Sequence, residues 1–506
     1  MDRREFVMAA GALLGSTAAG AAPAPMPLDT VAVDIAARET LGPLRQVWAE
    51  CAGSDRAAIT LRESWRKDLE RWRDEAGLKR VRFHGIFNDE LGVFAPSILN
   101  RGKPTPNFRN IFEVYDGLVE RGVAPYVEVG FMPRALASGT GGFGFYNANV
   151  SPPKSMEDWG RFIATFVQAL VSRYGAPTVR TWPFEIWNEP DLPFFWTGTQ
   201  QQYFELYKAA AVAIKSVDPA IPVGGPSTSA GRWVRDFAAF CHDNNAPVDF
   251  FATHAYSGGN QDELYGKGTA FSINQVIPDT VAKVRSLIDA SPFAGRPLWL
   301  SEWSSDSPAM IAHVVTQCLP HVTAMSHWTL SGTYEELGVA DYTLKEGDIG
   351  WSAMQRGIAL PAFNTYKLLH RLHGERLAAT GPVLASRRAD GAIAALVWNL
   401  AEAKQPAGIP GSTAVRSVTG SAKRYRIRLA GGRPHAPVAV RFVDQERGSP
   451  MPAWRAMGSP RYPTAAQIAA LRTAADIARP TMLRLDGTAT LVLDLPPEGV
   501  ALIELG

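Results

Sequence analysis

Short apolar runs alternate with longer amphipathic stretches through most of the chain, at intervals typical of strand–helix units. The spacing predicts strands over 43–48, 80–87 and 125–131, with helices over 62–76 and 110–120 that Gly77 and Gly122 end. A loop rich in Gly, Phe and Pro follows the third strand as far as Lys154. A helix over 156–174 then leads to a fourth strand, Phe184-Glu185-Ile186-Trp187. Four more strands are expected over 221–225, 248–254, 297–303 and 323–330, with helices over 203–216, 232–241 and 275–289 between them and a closing helix over 362–373. Eight strands in this order predict an α/β fold of the (β/α)8 TIM-barrel type over 28–374, with its site at the C-terminal ends of the strands.

From residue 375 the texture changes. Short strands over 392–398, 425–429, 439–443 and 489–493 are separated by Gly and Pro turns, with one helix over 465–478. This predicts a C-terminal all-β, sandwich-like accessory domain over 375–506 that packs on the barrel and carries no acidic pair of its own. Residues 1–22 stand apart from the fold. Arg3-Arg4-Glu5-Phe6-Val7 is a twin-arginine pattern, a modest apolar run follows, and Ala19-Gly20-Ala21 is an A-x-A-like cleavage site. A Tat-type signal and a periplasmic or secreted mature protein are expected. The run is too short to span a bilayer and no later stretch is long enough, so no membrane partner is expected.

Composition narrows the picture little. With 506 residues, 46% hydrophobic and 20% charged, the chain is ordinary globular material for roughly two to four domains. A formal charge of +2 gives no case for nucleic acid. Cys51, Cys241 and Cys318 form no CxxC and no disulfide framework. The nine histidines make no HExxH or other spaced metal set, so neither a metal nor a cofactor is expected; His370 and His373 read as structural, near a helix C-terminus. The glycine-rich run 139–144 lacks the lysine of a phosphate loop and opens no helix.

The chemistry concentrates in Phe184-Glu185-Ile186-Trp187-Asn188-Glu189-Pro190-Asp191, where an apolar strand stops at an acid. Pro190 cannot extend a sheet and biases the residue before it towards an extended conformation, which presents Glu189 at the strand lip with the amide of Asn188 beside it. A solvated strand-end acid is the ordinary reading of any one such glutamate. A second one, in Pro297-Leu298-Trp299-Leu300-Ser301-Glu302-Trp303, makes a pair at the fourth and seventh strands. Paired carboxylates on one rim fit glycoside hydrolysis, which needs a proton donor for the leaving oxygen and an anion for the oxocarbenium-like centre. The rim also receives His84 and His254. Glu128 and Glu185 are assigned no part in the chemistry, since they sit earlier on their strands or point away by alternation.

These blocks, together with Val81-Arg82-Phe83-His84-Gly85, Gly130-Phe131-Met132-Pro133-Arg134, Asn149-Val150-Ser151-Pro152-Pro153-Lys154, Thr253-His254-Ala255-Tyr256 and His327-Trp328-Thr329 with Glu335-Glu336, resemble glycoside hydrolase family 39, the family of β-xylosidases and α-L-iduronidases. The resemblance runs from about Gln46 to the C-terminus. It implies Glu189 as acid/base and Glu302 as nucleophile, with retention of configuration. It implies Asn188 on the sugar 2-hydroxyl, Tyr256 orienting the nucleophile, and His84, His254 and Glu336 binding sugar hydroxyls. Trp328 is implied as a hydrophobic wall joined to Thr329 by a cis peptide bond, with Phe195 walling the aglycone side. Arg82 is either a pocket-ordering charge or an ion-pair partner inside the barrel. The expected activity is a retaining exo-β-xylosidase acting on xylo-oligosaccharides, a small carbohydrate substrate. Its rivals are another activity of the family (α-L-arabinosidase, β-glucosidase or β-galactosidase, α-L-iduronidase, an endo-acting exopolysaccharide hydrolase) and, in a different class, a catalytically inactive sugar-binding protein. The sequence leaves the oligomeric state open.

Overall fold

The computed structural model describes residues 28–96, 98, 101–102, 105–332, 339, 342–345, 353–403 and 419–506. The twin-arginine segment and Glu336 lie outside the described residues. The chain enters through strand β1 (Thr30–Pro43), then forms β2 (Cys51–Arg56), β3 (Arg80–His84) and β4 (Ala124–Val129). A small hairpin, β5 (Gly142–Phe143) and β6 (Ala148–Asn149), precedes β7 (Phe184–Ile186), β8 (Val223–Ser229), β9 (Phe250–Ala255), β10 (Leu298–Trp303) and β11 (Ala324–His327). Strands β2, β3, β4, β7, β8, β9, β10 and β11 close in that order into an eight-stranded barrel. Every pairing in it is parallel. Helices such as Glu63–Ala76, Met156–Tyr174 and Gln200–Val217 surround it, each burying one apolar face.

A second hairpin, β12 (Met354–Gln355) and β13 (Ile358–Ala359), leads to the closing helix Pro361–His370. The accessory region then contributes β14 (Glu375–Thr380), β15 (Val383–Arg387), β16 (Ile393–Trp398), β17 (Lys423–Ala430), β18 (Pro437–Val443), β19 (Thr481–Arg484), β20 (Thr490–Leu495) and β21 (Val500–Leu505). With β1 they form one nine-stranded sheet in the order β19-β18-β21-β16-β15-β14-β1-β17-β20. Its strands have two working faces. Val383, Ala385, Ile393, Ala395, Val397, Ala501 and Ile503 face a core of the sheet's own, together with Val33 and Ile35 of β1. The alternate residues Leu384, Ala394, Leu396, Trp398, Val500 and Leu502 join the core of the barrel.

Two expectations change. Residues 30–43, assigned to the barrel, lie inside the accessory sheet, paired antiparallel with β14 and parallel with β17. The alternation of buried Val33, Ile35 and Ala37 with more exposed neighbours suits a sheet covered on one side, whereas barrel strands are buried at nearly every position. The first barrel strand is Cys51–Arg56 and not 43–48, whose Val47–Ala49 form a single 3-10 turn. The sequence Cys51-Ala52-Gly53-Ser54 carries little apolar signal because a large side chain occupies the space beside it: a Cβ on Gly53 would stand 2.5 Å from Trp328 Cε3.

Candidate active site

Arg82 on β3 is wholly buried and organises the floor of the barrel mouth. Its Nε donates to Glu185 Oε1 at 2.8 Å, its Nη1 to Glu302 Oε2 at 3.0 Å and its Nη2 to Asn188 Oδ1 at 2.9 Å. Nη2 also lies 3.0 Å from Glu128 Oε2 and 3.3 Å from His254 Nε2. Of the two roles left open for Arg82, it fills both. Glu128 and Glu185, left out of the chemistry by the sequence reading, are drawn into this cluster. They occupy matched positions on neighbouring strands β4 and β7, and Tyr126 donates to Glu185 Oε2 at 2.6 Å. A charge inside an apolar strand needs a partner, and that was the signal available in Tyr126-Val127-Glu128-Val129 and Phe184-Glu185-Ile186.

Two of the carboxyl groups that face this guanidinium, Glu185 and Glu128, shift in opposite directions. Burial would raise Glu185, but the Arg82 charge overcomes it and holds this carboxyl below its usual value. Burial dominates at Glu128 and pushes it up to about 8 despite Arg82. Glu128 Oε2 lies 2.7 Å from His84 Nδ1, and burial lowers His84 to about 3. Burial thus favours the neutral form of both partners.

Glu189 stands three residues past the end of β7 rather than on it. Its φ of 39° is left-handed, not the extended conformation expected before Pro190, and Trp187 has φ 73°. Such angles cost bulky residues about 1–3 kcal/mol each and persist where surroundings impose them. Here the Glu189 amide donates to Ser227 O at 2.9 Å, and the Trp187 indole donates to Phe195 O at 2.8 Å. Asp191 accepts from the Ser229 amide at 2.9 Å and from Arg232 at 3.2 Å. Burial, with the Asp191 charge second, pushes Glu189 up to about 8. His254 Nδ1 lies 3.0 Å from Glu189 Oε1. Because Nε2 accepts from Arg82, the imidazole proton sits on Nδ1 and is donated to that oxygen, so the proton of a neutral Glu189 belongs on Oε2.

Glu302, near the end of β10, takes Arg82 on one oxygen and the Tyr256 hydroxyl on the other at 2.5 Å. One ligand atom each of Glu189, His254 and Glu302 falls within 4.8 Å of the others. That triangle has the donor types of a metal site, but the Arg82 guanidinium already sits on Glu302 and would repel a divalent cation. The Asn188 amide is buried; with its oxygen held by Arg82, its Nδ2 is left without a hydrogen-bond partner among the described residues. Trp328 follows β11, and its bond to Thr329 is cis, as is Gly130–Phe131. Its ring centroid is 4.6 Å from that of His84, and Phe195 stands 5.9 Å from His84 on another side. The structure thus brings together Glu189, Glu302, Asn188, His84, His254, Tyr256, Trp328, Arg82 and Phe195.

The sequence model of "Glycosyl hydrolases family 39" matches residues 31–490. A beta-xylosidase of Caldicellulosiruptor saccharolyticus is 37% identical over 358 residues, which cover 67% of this chain and 71% of that one. A beta-xylosidase of Geobacillus stearothermophilus is 32% identical over 479 residues, covering 90% and 92%. Among solved structures, a monomeric beta-xylosidase from Caulobacter crescentus CB15 matches with a TM-score of 0.80 at 30% identity, over 94% of this chain and 99% of that one.

Proposed function

The chain belongs to glycosyl hydrolases family 39, and we propose that it is a retaining exo-β-xylosidase that releases xylose from the non-reducing ends of xylo-oligosaccharides. The observation that carries the mechanism is the spacing of the two acids: an oxygen of Glu189 lies within 4.8 Å of an oxygen of Glu302. Retaining enzymes hold their carboxyl groups about 5–5.5 Å apart, whereas inverting ones leave about 6.5–9.5 Å for a water. In the first step Glu189 gives its proton to the glycosidic oxygen while Glu302 Oε1 or Oε2 attacks the anomeric carbon. The C–O bond to the leaving group breaks and a covalent glycosyl-enzyme forms. In the second step Glu189, now a carboxylate, takes a proton from water, the water oxygen bonds the anomeric carbon, and Glu302 departs.

The other residues fit the same reading. Arg82 and Tyr256 hold both oxygens of Glu302. Asn188 Nδ2 is a buried donor awaiting an acceptor, and a sugar 2-hydroxyl supplies one. Trp328, whose ring centroid lies 4.6 Å from that of His84, offers an apolar face for the sugar ring. An iduronidase needs a cation for its uronate carboxylate, but Arg82 is engaged by Glu185 and Glu302, and Arg56 at the lip of β2 by Glu90 at 2.9 Å. The test is the anomer formed first from an aryl β-xyloside, followed by proton NMR. β-Xylose appearing before mutarotation supports double displacement, and α-xylose overturns it. Glu189→Ala should retain activity on activated aryl glycosides and be rescued by azide, whereas full activity in Glu302→Ala would remove the proposed nucleophile.

A further inference from the structure

The pocket does not end at Glu189. Two segments meet above it: the hairpin β5–β6 and the turn that follows the acid. Among the described residues, the phenylalanines with large exposed rings are Phe145 and Phe194, 57% and 52% accessible, and both are here. Phe143 joins Phe194 to the pocket, its ring 6.1 Å from Phe194 and 4.5 Å from the buried Phe195, and Tyr146 links it to Phe145, with centroids 6.4 Å from Phe143 and 5.7 Å from Phe145. Phe195 in turn neighbours His84. On the other side Phe145 covers the Arg56 guanidinium at 5.2 Å, and Arg56 ends β2 in register with His84 on β3. One aromatic surface therefore runs from the sugar pocket to solvent.

This surface is built, not frayed. A Cβ on Gly142 would displace the Asn147 side chain, whose Oδ1 lies 1.8 Å from that position. Gly144 has φ 67° with the Tyr146 ring 2.7 Å from where its Cβ would stand. The base of the hairpin donates from Val150 N to Gly141 O at 3.1 Å, and Thr197 N donates to Val150 O at 3.1 Å, which ties it to the segment carrying Phe194. Folding gains nothing from holding two exposed phenyl rings on a hydrogen-bonded frame, and a contiguous apolar patch beside a site marks a place where something binds.

We propose that Phe145 and Phe194, joined through Tyr146 and Phe143, form the subsite for the departing half of the substrate, and that this subsite selects a planar apolar aglycone over a second pyranose. The proposal rests on the glycosidase reading of the Glu189–Glu302 pair, since the leaving group must lie on the acid's side of the scissile bond. The exposed rings are phenylalanines, without the hydroxyl or indole N–H that lets tyrosine and tryptophan answer a sugar's hydroxyls as well as its face, and the hydroxyl of Tyr146 between them is buried. The nearby cation, Arg56, is turned to Glu90. An aromatic aglycone asks for no hydrogen bonds and matches such a surface; a pyranose brings hydroxyls that these rings leave unanswered.

The experiment compares kcat/KM for the phenyl β-glycoside and the β-1,4 disaccharide of one sugar, in the wild type, Phe145→Ala, Phe194→Ala and the double variant. The sugar is fixed beforehand on a panel of phenyl glycosides, so that failure of the xylose assignment leaves this test intact. Comparing each substrate with itself across variants cancels leaving-group acidity. The expected result is a fall of about tenfold in the phenyl-to-disaccharide ratio for the double variant, the effect of one aromatic contact of ordinary strength. A ratio that stays constant, because both substrates suffer alike or neither does, overturns the proposal. A ratio that rises overturns it too and assigns the rings to a pyranose. Both residues are exposed, and unchanged thermal unfolding confirms that the variants are folded.

Discussion

Arg82 is the residue on which the site's charge balance turns. It neutralises Glu185, orients Glu302 and Asn188, and fixes the tautomer of the histidine that touches Glu189. Burial outweighs its charge at Glu128 and Glu189, and both carboxyls rise to about 8. Glycosylation requires the protonated form of Glu189, so kcat/KM should hold through neutrality and fall with an alkaline limb near pH 8. Asp191 raises Glu189 by its charge, after burial. Asp191→Asn should therefore move that limb to lower pH, read from kcat/KM profiles; a limb that stays or moves up counts against Glu189 as its source. Glu128 gives a separate signal in stability. Its folded value is raised from 4.5 to about 8, so the native state holds the extra proton between those values. The stability this supplies is complete below 4.5 and is lost as pH rises through about 8. Glu128→Gln removes the titration, and urea unfolding should show the variant gaining on wild type as pH is raised from about 6 to about 9. Glu189 was legible in the sequence through Pro190 and its distant partner. Glu128 and Glu185 were not, because strand alternation alone says nothing about which side of a closed barrel a polar residue will find a cation.

The elements were legible where apolar residues run unbroken and obscure where a neighbour's bulk forces small ones. Strands β4, β9 and β10 stand out because both their faces are buried by the barrel and its helices. Strand β2 hides behind Gly53, which makes room for Trp328, and β8 is Val-Gly-Gly-Pro-Ser-Thr-Ser, with the Gly224 position pressed to 2.3 Å from Phe250 O. At Gly53 a ring of the site takes the volume that a barrel side chain would fill. This makes Gly53→Ala a sharp probe. The added methyl meets the Trp328 ring at 2.5 Å and His327 O at 3.3 Å. Overpacking of this kind costs about 1–3 kcal/mol, and displacing the ring should raise KM as well as lower the unfolding temperature. Gly160, inside the helix Met156–Tyr174, is the counter-case: its nearest contact would be 3.6 Å away. Gly160→Ala should stabilise by about 1 kcal/mol with kinetics unchanged.

At the scale of the whole molecule, the barrel and the accessory sheet are one folding problem. Strand β1 enters the sheet before the barrel begins, so the sheet's interior strands come from both sides of the barrel in the chain. The described thiols, Cys51, Cys241 and Cys318, are buried and unpaired in disulfides, so folding asks for no oxidation. We propose that the twin-arginine segment exports the folded chain, in which case Arg3→Lys with Arg4→Lys should leave the enzyme in the cytoplasmic fraction. The sheet also reaches the chemistry. Glu498, in the left-handed turn between β20 and β21, accepts from the Ser307 hydroxyl, and its carbonyl accepts from the Ala309 amide at 3.2 Å. Ser307 Oγ caps the helix Pro308–Cys318 by accepting from Met310 N at 3.1 Å. That helix starts a few residues past Glu302, and its other face packs on β16 and β21. Glu498→Ala leaves a buried hydroxyl short of its partner, at a cost of about 1–3 kcal/mol. If the sheet positions the end of β10, kcat should fall by more than KM changes, and Glu498→Gln, which keeps an acceptor, should restore most of it. A variant that loses stability but turns over normally per folded molecule would confine the accessory sheet to holding the barrel together.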